Sequence, residues 1–179
     1  RTVSHGVPEA QTLFDQGLAL TYGFNHDEAA RSYARAAEID PTCALCFWGA
    51  AYTLGPNYNM PALPERSRAA WEAMQAAQKA APKGTPVEQA LIAALAKRFK
   101  GPEWIDPVAM KPLSEAYALA MRDVATKFPD DLDVQTLYAE ALMNLDPWKL
   151  WTPSGEPTTH TEEIVQILER VLSRSPEHV

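Results

Sequence analysis

Residues 10–41, AQTLFDQGLALTYGFNHDEAARSYARAAEIDP, are the stretch that decides the fold. Its second half carries Ala29, Tyr33 and Ala36 at intervals of four and three residues, which place them on one face of a helix. Pro41 follows five residues later, and a proline cannot continue a helix. The stretch therefore predicts a pair of helices that pack through a face of small and then larger side chains and end at a proline.

The same irregular spacing returns further along the chain. The later occurrences are Ala70, Met74, Ala77 and Pro82; Tyr117, Met121, Val124 and Pro129; and Ile164, Leu168, Val171 and Pro176. Such recurrence of one spacing indicates an internal repeat, in which each unit ends at its proline.

This pattern resembles the tetratricopeptide repeat, a helix-turn-helix unit of about 34 residues with small residues at the helix contacts and a closing proline. The first occurrence fits the family pattern at Gly17 as well as at its alanines, tyrosine and proline, and the others fit mainly in their second helix. The resemblance implies a single all-α domain, a right-handed α-solenoid of about four units: 8–41, 43–82, 86–129 and 131–176.

The closing prolines lie farther apart than the period of the family. The additional residues of each unit lie in proline-rich segments, which we predict to be loops between the two helices of a unit. These segments are LGPNYNMPALPERS (54–67), KGPEWIDPVAMKP (100–112) and NLDPWKLWTPSGEPTTH (144–160). A repeat of the armadillo or HEAT type has a similar period, but the small-residue spacing favours the tetratricopeptide interpretation.

The pattern predicts helices over 8–24, 27–39, 43–55, 64–80, 86–99, 108–127, 131–145 and 160–174. Three residue pairs at the spacing of a capping box support the predicted helix starts: Asn25 with Glu28, Thr85 with Glu88 and Thr159 with Glu162. At the second of these pairs, Pro86 also occupies the first helical position, where proline is preferred.

Cys43 and Cys46, in the segment DPTCALCFWG, fall in the first turn of the third predicted helix. One interpretation is that Cys46 is a small core residue and Cys43 lies at the turn. The other is a local disulfide or redox pair, because the spacing is short enough and a helix N-terminus favours a thiolate. A disulfide is most plausible in an exported protein, which favours a periplasmic or secreted location over the cytoplasm. Phe47 stands where attachment of c-type haem requires a histidine, and zinc would need further ligands.

Composition and motifs exclude several classes of function. The net charge of −7 and the lack of a basic cluster argue against a nucleic-acid partner. We expect no membrane span, because no apolar run approaches roughly 18 residues. The histidines (His5, His26, His160 and His178) have no partner four residues away, and the sequence contains no P-loop, dinucleotide-binding or G-x-S-x-G motif. We therefore predict a non-enzymatic protein without a cofactor or metal.

In tetratricopeptide proteins the first helix of each unit lines the concave face, which is the usual binding surface. The resemblance implies that this face carries Phe14, Leu18, Trp48 and Tyr52. An apolar groove of this kind suits a hydrophobic peptide or helix. The alternative is that the long loops fold back and fill the groove.

The predicted loops form a second candidate surface. All of them connect a first helix to a second one, so stacking of the units gathers them along one edge. The aromatic residues of this edge are Tyr58, Trp104, Trp148 and Trp151. Tyrosine and tryptophan commonly anchor protein interfaces. The alternative is that each ring covers the exposed end of its own helix pair.

The last predicted helix has a wide apolar stripe, whereas terminal repeats normally have a polar outer face. We expect either that the chain is the N-terminal part of a longer array or that residues 160–179 dock on another chain. The chain is also similar to longer bacterial repeat proteins that open with NHDEAARSY, DPTCALCFWG and LGPNYN.

The sequence therefore predicts a scaffold that binds a protein or peptide through its concave face or its loop edge. A different class of function stays open, in which the chain is a small-molecule-binding or metal-binding accessory domain of an exported redox assembly. In that case the domain would use Cys43 and Cys46 together with groups from the loops.

Overall fold

A computed structural model describes residues 1–4 and 7–178, and these residues contain helices but no β-strand. The α-helices are α1 (Pro8–Tyr22), α2 (His26–Ile39), α3 (Ala44–Leu54), α4 (Pro64–Ala80), α5 (Pro86–Leu95), α6 (Pro107–Lys127), α7 (Leu132–Met143) and α8 (Thr161–Arg174). Single 3-10 turns, Ala81–Lys83 and Ala96–Arg98, extend α4 and α5. The all-α prediction is confirmed, and each predicted helix is present within a few residues of its expected ends.

Consecutive helices pack against each other along the described chain. Helices α1 and α2 form one close pair, α3 and α4 form another, and α2 also packs on α3. Helix α5 contacts both α3 and α6, and α7 packs between α6 and α8. This arrangement is that of neighbouring helices packed against each other, while the right-handed solenoid stays a prediction.

Tyr33 of α2 shows why the repeat uses small residues. Its ring is fully buried between Gly17 of α1 and Gly49 of α3. A Cβ atom added at Gly17 would lie 2.8 Å from the ring, and one added at Gly49 would lie 2.5 Å from it. Both distances are shorter than van der Waals contact allows, so the two glycines let three helices pack around one tyrosine.

Of the three caps predicted at helix starts, only the one at α5 is present in the structure. The capping box of α5 is confirmed, because Thr85 and Glu88 bind each other's backbone N–H groups. Asn25 precedes α2 without a side-chain capping bond, and Glu28 pairs instead with Arg31 at 2.6 Å. The box predicted at Thr159 is also wrong, because α8 begins two residues later, at Thr161.

The two ends of the described chain meet at the start of α7. The hydroxyl of Tyr22, at the end of α1, donates to Asp133 Oδ1 at 2.8 Å. The Arg1 side chain forms ion pairs with Asp131 and with Asp133, and His178 Nε2 lies 3.5 Å from Asp133 Oδ1. These contacts bring α7 opposite α1, across the face that an open array would leave free.

Helix α8 buries Ile164, Ile167 and Val171 against its neighbours, while Val165 and Leu172 are exposed. Its apolar stripe is therefore wider than the surface it buries within the described chain. None of the helices in the described residues has both the length and the apolar composition that crossing a membrane requires.

Candidate functional site

A pocket of about 330 Å³ opens on the edge of the molecule where the long loops meet, and we call it the loop-edge pocket. Its walls are mainly apolar and come from the loop after α3, the loop before α6, the first half of α6 and the end of α7. They include Met60, Ile105, Met110 and Leu145. A concave, mostly apolar surface with a few polar groups is typical of a ligand-binding site.

The loop after α3 is a compact turn that positions one side of the pocket. Asn57 N donates to Met60 O at 2.9 Å, and Met60 N donates back to Asn57 O at 3.2 Å. The Asn57 side chain also accepts a hydrogen bond from Asn59 N at 2.9 Å. Pro56 and Pro61 flank the turn and restrict its backbone further. This side of the pocket is therefore preformed.

Two aromatic side chains form the rim of the pocket. The ring centroids of Tyr58 and Trp148 lie 5.1 Å apart, so the first and third loops contact each other through these rings. Trp148 is 73% exposed, and its φ of 62° lies in the left-handed region, which is costly for a residue with a Cβ atom. An exposed tryptophan on a strained backbone is a common feature of binding sites.

Arg98, at the end of the 3-10 turn after α5, forms the floor of the pocket and is only 3% exposed. Its guanidinium carbon lies 5.4 Å from the ring centroid of Tyr52 and 4.9 Å from that of Tyr117. Arg98 Nη2 donates to the backbone oxygen of Tyr52 at 3.3 Å. A Cβ atom added at Gly55 would lie 2.5 Å from Nη2, so the glycine leaves the space that the guanidinium occupies.

Several buried polar atoms at this floor have no hydrogen-bond partner among the described residues. They are Arg98 Nε, Tyr117 Oη and Asn144 Oδ1, and all three belong to residues that line the pocket. A buried polar group without a partner costs on the order of 1–3 kcal/mol, and such groups are uncommon in folded proteins. Their concentration in one place makes this floor the polar part of the candidate site.

Burial changes the ionisation of the groups around the floor. It raises the pKa of Tyr117, and it also raises the pKa of Glu140. For Glu140, the positive charge of Arg98 and hydrogen bonds from Tyr52 and Asn144 offset only part of this effect. The charged residues that line the pocket itself, Arg98 and Lys111, are both cations.

The aromatic residues predicted for the loop edge have different surroundings. Tyr58 and Trp148 contact each other at the pocket rim. Trp104 is 44% exposed, and its indole N–H donates to Ala62 O at 2.9 Å, which joins the second loop to the first. Trp151 is 55% exposed and pairs through its backbone with Pro157 of its own loop, outside the pocket.

The residues predicted to line an open concave groove are all buried in the core: Phe14, Leu18, Trp48 and Tyr52. Trp48 and Tyr52 stack with their centroids 5.2 Å apart, and Phe14 packs on Tyr33. These four side chains therefore present little free surface to a partner in this structure. Tyr52 remains relevant because it supports Arg98 from beneath the pocket.

Cys43 and Cys46 form a disulfide at the start of α3, and both side chains are fully buried. Cys43 Sγ also accepts a hydrogen bond from Cys46 N at 3.2 Å, so the first cysteine caps the helix. The described residues contain no cluster of three or more His, Cys, Asp or Glu residues that could hold a metal ion. His5 lies outside the described residues.

The polar floor of the pocket was not predicted from the sequence. Arg98 follows the end of α5, and no motif distinguishes it from the exposed Lys97 beside it. Tyr117 appeared in the repeat pattern, but only as a position of helix packing. Gly55 precedes a proline in a predicted loop, and a close approach of another side chain to this glycine has no sequence signature.

Comparisons of the chain with protein-family models, with curated proteins and with solved structures found no match in any of the three. The repeat resemblance therefore rests on the residues of this chain alone. Its function is argued from the geometry of the loop-edge pocket.

Proposed function

We propose that this chain is a non-enzymatic binding module that recognises a segment of a partner protein through the loop-edge pocket. One observation carries the proposal: buried polar atoms without partners, above all the Tyr117 hydroxyl, line the floor beneath an exposed aromatic rim. An inserted group can supply the missing hydrogen bonds at the floor while the rim covers its apolar part.

The size of the pocket supports a segment of polypeptide as the ligand. A volume of about 330 Å³ is at the lower end of the range for small-molecule sites and accommodates one or two inserted side chains. The exposed rim formed by Trp148 and Tyr58 gives a partner additional surface on which to pack. The resemblance to helical repeats, which commonly present binding surfaces to proteins, also supports this proposal.

The alternative function based on the cysteine pair has less support. Both sulfur atoms are buried in the disulfide, so a redox partner has no direct access to them. A small ligand would instead use the same loop-edge pocket, and the experiments below separate that outcome from peptide binding.

Selection from a random peptide library displayed on phage tests the proposal. We expect the wild-type protein to enrich peptides whose affinity falls about tenfold or more in the Trp148→Ala variant, because an interface anchor is removed. Trp151→Ala is the matched control, since this exposed tryptophan lies on the same loop but outside the pocket. Failure to enrich any peptide, or an equal loss of affinity in both variants, would reject peptide binding at this pocket.

A further inference from the structure

The loop-edge pocket is positively charged in a protein whose net charge is −7. Arg98 lies at its floor and the exposed Lys111 lies on its wall. Among the described residues, no carboxylate oxygen lies within 4.0 Å of the Arg98 guanidinium nitrogens. The positive charge of Arg98 is thus balanced mainly by the faces of two aromatic rings and by one backbone carbonyl. This environment favours an anionic ligand group.

Glu140 acts on Arg98 through its charge but forms no ion pair with it. Its carboxyl oxygen Oε1 instead accepts a hydrogen bond from the Asn144 amide. The pairing position beside Arg98 is therefore left for a group from outside the chain.

The unpartnered atoms define which anion fits. Arg98 Nε and Tyr117 Oη are hydrogen-bond donors, and a planar carboxylate can accept from both of them. Asn144 Oδ1 is an acceptor, which an N–H group close to the carboxylate satisfies. The single buried cation, Arg98, can pair with one negative charge on the ligand. The apolar walls suit an aromatic or aliphatic side chain attached to the charged group.

We infer that the loop-edge pocket recognises a carboxylate together with an adjoining apolar group, and that the partner segment presents an acidic residue next to an aromatic or aliphatic one. This inference rests on the function proposed above, because it names the chemistry of the segment that enters the same pocket. The backbone N–H groups of such a segment also provide the donor that Asn144 lacks, which favours a peptide over a free acid.

The carboxylate is tested first with two small probes of the same shape, phenylacetate and its neutral analogue phenylacetamide. Binding is measured by ligand-observed NMR and calorimetry. We expect phenylacetate to bind at least about tenfold more tightly, because only the anion pairs with Arg98. Equal binding of the two probes, or no binding of phenylacetate, would overturn the inference.

The Tyr117→Phe variant removes a hydroxyl that has no hydrogen-bond partner in the free protein. We expect its melting temperature not to fall and its affinity for phenylacetate to fall about tenfold, because a charge-assisted hydrogen bond is lost. Tyr33→Phe is the matched control: this hydroxyl lies 3.2 Å from the Thr21 hydroxyl, so its removal lowers stability but leaves affinity unchanged. Unchanged affinity in Tyr117→Phe would also overturn the inference.

Lys111→Gln tests the second cation without affecting the core, because Lys111 is exposed. We expect a two- to threefold weaker affinity for phenylacetate and a smaller dependence on salt, since an exposed charge acts mainly through a screened field. Lys79→Gln, an exposed lysine of α4 outside the pocket, is the control and leaves both quantities unchanged. The same changes in both variants would contradict a specific role for Lys111 in anion binding.

Selected peptides then separate the two proposals. We expect an Asp→Asn or Glu→Gln change in the peptide to reduce its affinity at least about tenfold. If peptides bind through the pocket but tolerate this change, the proposed function stands and the carboxylate inference is rejected. If phenylacetate binds selectively while no acidic peptide binds, the carboxylate inference stands and the peptide-binding function is rejected.

Discussion

Glu140 of α7 is the acidic group closest to the floor of the loop-edge pocket, and burial raises its pKa. A carboxyl with a raised pKa binds its proton more tightly in the folded state than in the unfolded state. Its contribution to stability is therefore most favourable at low pH, and it is lost as the pH rises from the ordinary value near 4.5 through the folded pKa.

Because the pKa of Glu140 is raised, we predict that Glu140→Gln stabilises the protein by about 1 kcal/mol at pH 8 and has little effect at about pH 4. The glutamine retains an oxygen that accepts from the Asn144 amide, while the cost of a buried charge disappears. Urea unfolding at both pH values measures the difference. Glu72→Gln, at an exposed position of α4, is the control, and a destabilised Glu140→Gln at pH 8 would contradict the prediction.

At this scale the sequence predicts packing better than chemistry. Ala29, Tyr33 and Ala36 were assigned to a packing face from their spacing, and all three are fully buried. The roles of Arg98 and Glu140 could not be assigned, because they depend on residues far away in the chain, such as Tyr52. Hydrophobic periodicity predicts which face of a helix is buried, but it does not predict which polar groups from distant parts of the chain contact that face.

At the scale of single helices, Glu88 of α5 shows the opposite ionisation behaviour to Glu140. Glu88 is buried, and it accepts hydrogen bonds from Thr85 N at 2.6 Å and from Ser4 N at 2.8 Å. Burial raises the pKa of this carboxyl, but the hydrogen bonds from Ser4 and Thr85 outweigh it and lower the pKa overall. The stability that it contributes is present above its unfolded pKa and is lost as the pH falls through the folded pKa.

We predict that Glu88→Gln destabilises the protein by about 1–2 kcal/mol at pH 7, because the capping box and the contact with Ser4 are weakened. The difference from the wild type narrows as the pH falls from the ordinary value near 4.5 through the folded pKa of Glu88, where the wild-type carboxylate becomes protonated. Urea unfolding across this pH range measures it. A difference that grows as the pH falls would contradict the assignment of Glu88 as an ionised cap.

The boundaries of the helices were predictable, whereas their capping was predictable only at α5. Thr85 and Glu88 form the expected box, and the additional hydrogen bond from Ser4 to Glu88 does not disrupt it. Glu28 has the same spacing from Asn25, but Arg31 stands one turn further on and takes its carboxylate. The spacing of a capping box therefore does not produce a cap where a nearby cation binds the carboxylate instead.

At the scale of the whole molecule, the ends of the described chain are joined across the face that an open repeat array would expose. The bond from the Tyr22 hydroxyl to Asp133 connects α1 with α7, which are 111 residues apart at this contact. Repeat spacing describes contacts between neighbouring units, so it could not predict this closure. For the same reason, the sequence left open whether the four residues assigned to the groove are exposed or covered.

We predict that Tyr22 and Asp133 stabilise the closed arrangement by a direct coupling of about 1 kcal/mol. A double-mutant cycle with Tyr22→Phe and Asp133→Asn measures this coupling through the free energies of unfolding. Hydrogen exchange in the first turn of α7 is expected to increase in either variant, because this turn depends on the contact. Additive effects of the two substitutions would contradict a direct coupling between Tyr22 and Asp133.

The mouth of the loop-edge pocket comes mostly from segments between helices, whereas Arg98 and Tyr117 belong to the helical framework. Insertions and replacements in such connections are tolerated more easily than changes in packed helices. Changes in the connecting segments can thus alter the mouth of the pocket, while the packed helices keep Arg98 and Tyr117 in place. Grafting a different connection between α7 and α8 is accordingly a direct route to an altered preference for the residues that flank the acid.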